Sequence, residues 1–333
     1  MSPEPHIGKQ RIVPLRTNYG HIERRIGDKP ATRYQEATYD VQSEMGFHYK
    51  PVYDSGRDLY DVTLTKIVME DWYSFMDPRQ YFYTPYVTAR SLQQEVMDKN
   101  HEMIDKQKLM ATVSEDLKQR VRDVVIPLRH VEYAANMNNQ YIADKCFGAS
   151  IAGVAAYNGF DHIAMSQYIS KLALMLDDND DVTLLAAKEA WMNDAQWQPL
   201  RRVIEDIWVI DDWFETMVAQ NIVLDGLLNP LIFGCFIADI TAKGGLPISM
   251  LVSFMNDWYA ETTRWTNQLM KVTAKESDAN KVLLCGWVGK WLLRVEEALE
   301  PVAQAAFGGQ GEKHLGEVKQ ELLDRLAKQG IQI

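Results

Sequence analysis

Cysteine, histidine and excess positive charge are all scarce in this chain, and each scarcity excludes a class of protein. Its three cysteines, Cys146, Cys235 and Cys285, are far apart and sit in apolar runs. Neither a disulfide framework nor a Cys-x-x-Cys metal site is predicted, and a reducing cytoplasm is the expected compartment. Cys146 has no helix N-terminus and no adjacent histidine to lower its pKa, so a nucleophilic thiol is not expected. The net charge of −11 argues against binding a nucleic-acid backbone or an anionic membrane. Met1 to Tyr19 lacks the apolar core of a signal peptide. The longest apolar stretch, about 221–240, contains Asp225, Asn229, Pro230 and Asp239. A membrane span rarely tolerates that set, and the stretch reads as a buried core helix. No Gly-x-Ser-x-Gly elbow, phosphate-binding glycine loop or dinucleotide fingerprint is present.

What is present is helical pattern. With 47% apolar residues over 333 positions, the chain has ample material for a large core. A first amphipathic helix is predicted over about 62–76, stopped by Asp77-Pro78, with an aromatic loop over Tyr81–Pro85. A second spans about 87–109. A third starts after Ser114, a good N-cap with acids in its first turn. It continues past a kink at Pro127 to Phe147. Gly148 separates it from a helix over 149–176 that is rich in Ala and Gly. Further helices are predicted at about 182–210, 212–242, 248–275, 279–305 and 312–328. No strand is expected. The stretches 114–176 and 203–275 form two long helix pairs joined by a longer crossover, which is a ferritin-like arrangement of an all-α bundle.

Residues 1–60 differ. Tyr19, Tyr34, Tyr39, Tyr49, Tyr53 and Tyr60 fall here with Pro3, Pro5, Pro14, Pro30 and Pro51, and no period is sustained. A disordered tail is one reading. An extended arm laid over a partner subunit is the other, since aromatics and Arg are enriched at interface cores. Residues 61–333 then form the helical domain. Trp191, Trp197, Trp208 and Trp213 crowd one short stretch and suggest a large contact surface.

A bundle of this kind binds two irons with one Glu from each of two helices and Glu-x-x-His from each of the other two. The seven histidines are His6, His21, His48, His101, His130, His162 and His314, and none follows a glutamate by three. Only His130 and His162 lie in candidate core helices. In Gly159–Tyr168 the comparable inward positions hold His162 and Met165, and in Asn256–Thr262 they hold Trp258 and Glu261. A thioether is a poor ligand for iron in an oxygen-rich site, and an indole leaves no room for a metal pair. Glu132 and Glu215 are either remaining inward glutamates or buried acids paired to Arg or a hydroxyl. Asp161, Asp257 and Glu261 are expected to pair across the core as a charged network.

Asp61 to Tyr86, with Asp-Trp-Tyr-Ser-Phe and Asp-Pro-Arg-Gln-Tyr-Phe-Tyr-Thr-Pro-Tyr, resembles the β subunits of bacterial multicomponent monooxygenases, above all the phenol hydroxylase β (L) kind. The likeness covers nearly the whole chain. It implies a ribonucleotide-reductase-like bundle within an (αβγ)₂ hydroxylase whose α subunit carries the diiron centre. It also implies that this chain has no cofactor of its own. Against the α-type Asp-Glu-x-Arg-His, this sequence reads Asp161-His-Ile-Ala-Met165 and Asp257-Trp-Tyr-Ala-Glu261. The ligand positions are thus His162 and Met165, then Trp258 and Glu261.

The function implied is a non-catalytic scaffold supporting a partner that hydroxylates phenol-type substrates with O2. Electrons would come from NADH through a reductase, and a regulatory protein would also act on the complex. The alternative is a free-standing ferritin-like diiron protein using Glu132, His162, Glu215, Asp257 and Glu261. A helical binding module unrelated to oxygenases would explain the tryptophans alone.

Overall fold

A computed structural model describes residues 15–42, 50, 54 and 56–333; Tyr49, Tyr53, His6, His48, Pro3, Pro5, Pro14 and Pro51 lie outside them. Two short helices, α1 (Gly20–Ile26) and α2 (Arg33–Thr38), precede the body. The body comprises α3 (Tyr83–Lys106), α4 (Glu115–Val124), α5 (Leu128–Lys145), α6 (Ala149–Leu176), α7 (Val182–Asn193) and α8 (Gln198–Trp208). It continues through α9 (Trp213–Ala242), α10 (Leu246–Glu276), α11 (Asp278–Phe307) and α12 (Gly311–Ala327). Among the described residues there is no β-strand. The fold is an all-α, ferritin-like bundle.

Its core is two helix pairs, α5–α6 and α9–α10, joined by the crossover through α7 and α8. α6 also packs on α10, α11 packs on α9 and α10, and α12 covers α9 and α11. Gly148, at φ +100°, makes the turn into α6, a conformation that L side chains rarely adopt. Burial explains the apolar sequence of α9. It is long and apolar enough to cross a membrane, yet 78% of its most apolar window lies inside the protein. Pro230 has no N–H for an α-helical bond, and α9 passes through π-helical turns at Val218–Leu224 and Pro230–Phe236.

The predicted helix at 62–76 is absent. The chain there is an extended strap with single 3₁₀ turns at Val62–Leu64 and Trp72–Ser74. Asp61 and Asp71 turn their carboxylates onto the N–H groups of Thr63 and Tyr73, competing locally with helix formation. The strap's backbone is satisfied from across the fold. Lys66 N donates to Asp212, Val68 N to Asn280 and Glu70 N to Glu276, at 2.7, 3.1 and 2.8 Å. The expected aromatic loop over 81–85 is largely the first turn of α3, where Pro85 forfeits no helical bond. The expected helix over 182–210 is two helices, broken before Pro199.

The tryptophan-rich stretch is chiefly core. Trp191, Trp197 and Trp213 are buried, and only Trp208 of the four is exposed. Trp213 stacks at a tilt on Trp72, and Trp197 on Trp191. The described part of residues 1–60 is tied to the body. Arg25 bridges Asp40 (2.5 Å) and Asp71 (2.8 Å), and Tyr34 Oη accepts the Asp77 N–H at 2.8 Å. Ile22, Tyr39 and Tyr73 form a small core of their own.

Candidate functional site

The centre of the bundle is polar, and each of its four core helices contributes. His162 projects inward from α6. Its Nδ1 lies 2.6 Å from Glu132 Oε2 on α5, and its Nε2 lies 3.3 Å from Asp225 Oδ2 on α9. The second approach is an ion-pair distance without hydrogen-bond alignment, so among the described residues Asp225 Oδ2 accepts no hydrogen bond. Asp225 Oδ1 accepts from Gln220 Nε2 at 2.8 Å, and Gln220 Oε1 accepts from Asn138 Nδ2 at 2.8 Å. All five side chains are buried. Burial alone would lower the His162 pKa, but Asp225 and Glu132 outweigh it and raise it to about 10. An imidazolium between two acids is the state this geometry favours.

One helical turn away, Asn139 on α5 and Asn221 on α9 exchange carboxamide hydrogen bonds at 3.0 and 2.9 Å. Asn158 on α6 donates to both at 3.2 Å and accepts from Thr262 on α10 at 2.8 Å. Such a closed amide network leaves few lone pairs or N–H groups unpaired in a dry core.

On the other side of His162, Arg90 reaches in from α3. Its Nε and Nη2 donate to Asp161 Oδ1 and Oδ2 at 2.7 and 2.6 Å. Its Nη2 and Nη1 donate to Glu261 at 2.8 and 3.3 Å. Tyr86 Oη donates to Asp161 at 2.8 Å. The guanidinium lies 4.9 Å from the Trp258 ring centroid, whose Nε1 donates to Gln93 at 2.6 Å.

Glu132, His162, Asp161 and Glu261 therefore share this centre, with Met165 and Trp258 filling it. One expectation needs correction, and one alternative is decided: Glu215 is a buried, paired acid and not an inward glutamate of the centre. Asp257 is exposed, because on α10 it falls on the face opposite Trp258 and Thr262, and it takes no part in the network. Glu215 is ten residues before Asp225 on α9, about 15 Å along the axis. It accepts instead from Lys290 (2.7 Å) and Trp291 (2.9 Å) on α11. The five-residue ligand set of the free-standing reading does not converge.

Sequence reasoning missed Arg90, Asp225 and the amides Asn138, Asn139, Asn158, Gln220 and Asn221. The available signal was the amide pairs 138–139 and 220–221, set in otherwise apolar helix faces.

The donor set does not fit a carboxylate-bridged iron pair. Both His162 nitrogens face carboxylates, Met165 offers a thioether, and Trp258 occupies volume. The void between His162, Met165, Asp225 and Trp258 is only about 10 Å³, at the lower limit for one water. Among the described residues no group of three or more His, Cys, Asp and Glu side chains is spaced to hold a metal ion.

Comparison with known proteins accounts for this architecture. The profile of the Methane/Phenol/Alkene Hydroxylase family matches residues 50–277. The chain is 41% identical over 325 residues to the phenol 2-monooxygenase oxygenase component DmpL of Pseudomonas sp. (strain CF600), covering 98% of this chain and 97% of that one. It is 36% identical over 326 residues to the corresponding component MhpL of Acinetobacter pittii (strain PHEA-2), with the same coverage. Among solved structures, the xenon-pressurised phenol hydroxylase of Pseudomonas sp. OX1 superposes with a TM-score of 0.92 at 42% identity, covering 98% of this chain and 99% of that one. Toluene 4-monooxygenase, at 18% identity and a TM-score of 0.68 over 76% of this chain and 81% of that one, shares the fold. The chain belongs to the methane/phenol/alkene hydroxylase family, and the two relatives named above that align over nearly their whole length are oxygenase components of phenol 2-monooxygenases.

Proposed function

We propose that this chain is the structural β (L) subunit of the oxygenase component of a multicomponent phenol monooxygenase, with no catalytic or metal site of its own. In this reading it assembles with α and γ chains as a cytoplasmic (αβγ)₂ hydroxylase. A regulatory protein and an NADH-dependent reductase act on that complex. The diiron centre belongs to α, where it supplies the O2 activation that puts one oxygen atom on the aromatic ring. This chain's residues supply packing that keeps the α site preorganised and closed to water. Residues 1–60 act as the arm that docks on a partner.

The observation that carries the reading is the environment of His162. The sequence resemblance sets this histidine where α-type chains carry a ligand glutamate, and both its ring nitrogens face acids. The full-length likeness to oxygenase components of phenol 2-monooxygenases supports it further.

Reconstitution by omission tests it. Phenol hydroxylation should require this chain together with its partners, and this chain alone should turn over no phenol. Hydroxylation by the isolated chain with reductase and NADH would refute the proposal.

A further inference from the structure

Four acids of the bundle come one from each core helix: Glu132 from α5, Asp161 from α6 and Asp225 from α9 are buried, and Glu261 from α10 is partly exposed. Each faces an organic cation that also reaches an acid on another helix. His162 joins Glu132 to Asp225, and Arg90 joins Asp161 to Glu261. We propose that His162 and Arg90 are the resident counter-cations of this core. They are charged cross-links that hold the four helices together, the task that bridging metal ions perform in bundles that carry them. The inference rests on reading this chain as the metal-free subunit.

The geometry argues for charge rather than for hydrogen bonding alone. Carboxylates taken out of water are unfavourable unless paired. The imidazole ring directs its nitrogens outward on opposite sides, and only a doubly protonated ring presents N–H toward both acids. Asp225 is fixed as an acceptor on its other oxygen, because the Gln220 that donates to it has its own carbonyl committed to Asn138. With both acids ionised, a neutral His162 would turn a bare lone pair toward one of them. Arg90 is comparably committed. Its fork spans Asp161 and Glu261, Nη1 also donates to Gln93 at 3.0 Å, and its flat face lies over Trp258. A guanidinium suits this bidentate, stacked role as an ammonium does not. With about 10 Å³ left beside His162, no further ion is accommodated.

The test uses the purified, fully assembled complex and compares His162→Gln, Glu132→Gln and the double variant by thermal unfolding. Glutamine keeps hydrogen-bonding capacity and removes charge. Each single substitution should lower the midpoint by roughly 5 °C. The double variant should fall well short of the sum, because it removes cation and anion together. Strict additivity, or His162→Gln within about a degree of wild type, overturns the proposal.

If His162→Gln fails to assemble, an unmodified complex decides. With only this chain labelled in its histidine ring nitrogens, solid-state NMR at mildly alkaline pH should show both His162 nitrogens protonated. One bare nitrogen overturns the proposal. Iron recovered with this chain would refute the metal-free reading instead, whatever the variants do.

Discussion

Arg90 and Glu261 are 171 residues apart in sequence, and Arg90 Nη2 lies 2.8 Å from Glu261 Oε2. The same guanidinium holds Asp161, so one side chain on α3 fastens α6 to α10. Arg90→Met would leave Asp161 buried without its cation. A loss of about 3–5 kcal/mol is expected, the usual penalty for breaking a buried pair from one side. Glu261 is partly exposed and contributes the smaller share. Arg90→Lys should fall between, keeping charge but losing the fork. Urea unfolding of the three proteins checks the order.

Two glycines should answer differently to alanine. A Cβ on Gly311 would lie 2.7 Å from the Ala303 carbonyl carbon and oxygen, and backbone cannot swing aside. Gly311→Ala should destabilise the α11–α12 packing by about 1–3 kcal/mol, as overpacking does. A Cβ on Gly159 would meet the Gln140 terminal amide at 2.5 Å, which can rotate away. Alanine is favoured over glycine in a helix by about 1 kcal/mol, so Gly159→Ala should be close to neutral. Denaturation midpoints of the two variants compare them directly.

Stability should fall on both sides of neutral pH. The folded-state pKa of His162, about 10, exceeds its ordinary 6.5, so the native state holds the extra proton between those values. That contribution is complete below pH 6.5 and is lost as pH rises through 10. Glu132 and Asp225 are the acids facing it. His130 behaves oppositely. Burial, then Arg129 and Lys188, lower it to about 4, so the unfolded chain binds the proton first. Its contribution is present above pH 6.5 and is lost as pH falls through 4. His130→Phe, keeping a ring against Trp191, should flatten the acid limb only. Urea midpoints across this range test both signs.

Deleting residues 1–60 should weaken assembly with the partner chains while leaving the helical body intact. The deletion also removes Arg25 from Asp71 and Tyr34 from Asp77. Its specific mark is therefore a loss of complex out of proportion to the loss of monomer helicity. Sedimentation together with circular dichroism separates the two.

Most of the bundle was legible because its helices announce themselves locally. Gly148 and the acidic run Asp177–Asp181 bracket α6, and its predicted limits match the structure. The strap at 62–76 was not legible. Its apolar spacing suits a helix, and the groups that hold it extended, Asp212, Asn280 and Glu276, lie far along the chain. The same holds for the site. His162, Met165, Trp258 and Glu261 could be read from helix register. Arg90 and Asp225 could not, because the pairing of α3 and α9 with α6 is a property of the assembled bundle. Asp257 misled because register alone does not separate an inward acid from its outward neighbour. Register left the two readings of Glu215 open because it does not separate one end of a long helix from its middle.

The most direct test of the account is native mass spectrometry of the intact complex recovered through a tag on this chain, with iron measured on the same sample. The account predicts a large assembly in which, on dissociation, iron stays with a heavier partner and this chain leaves as bare polypeptide. Recovery of the chain alone carrying about two irons, the complement of a ferritin-like diiron site, would contradict it.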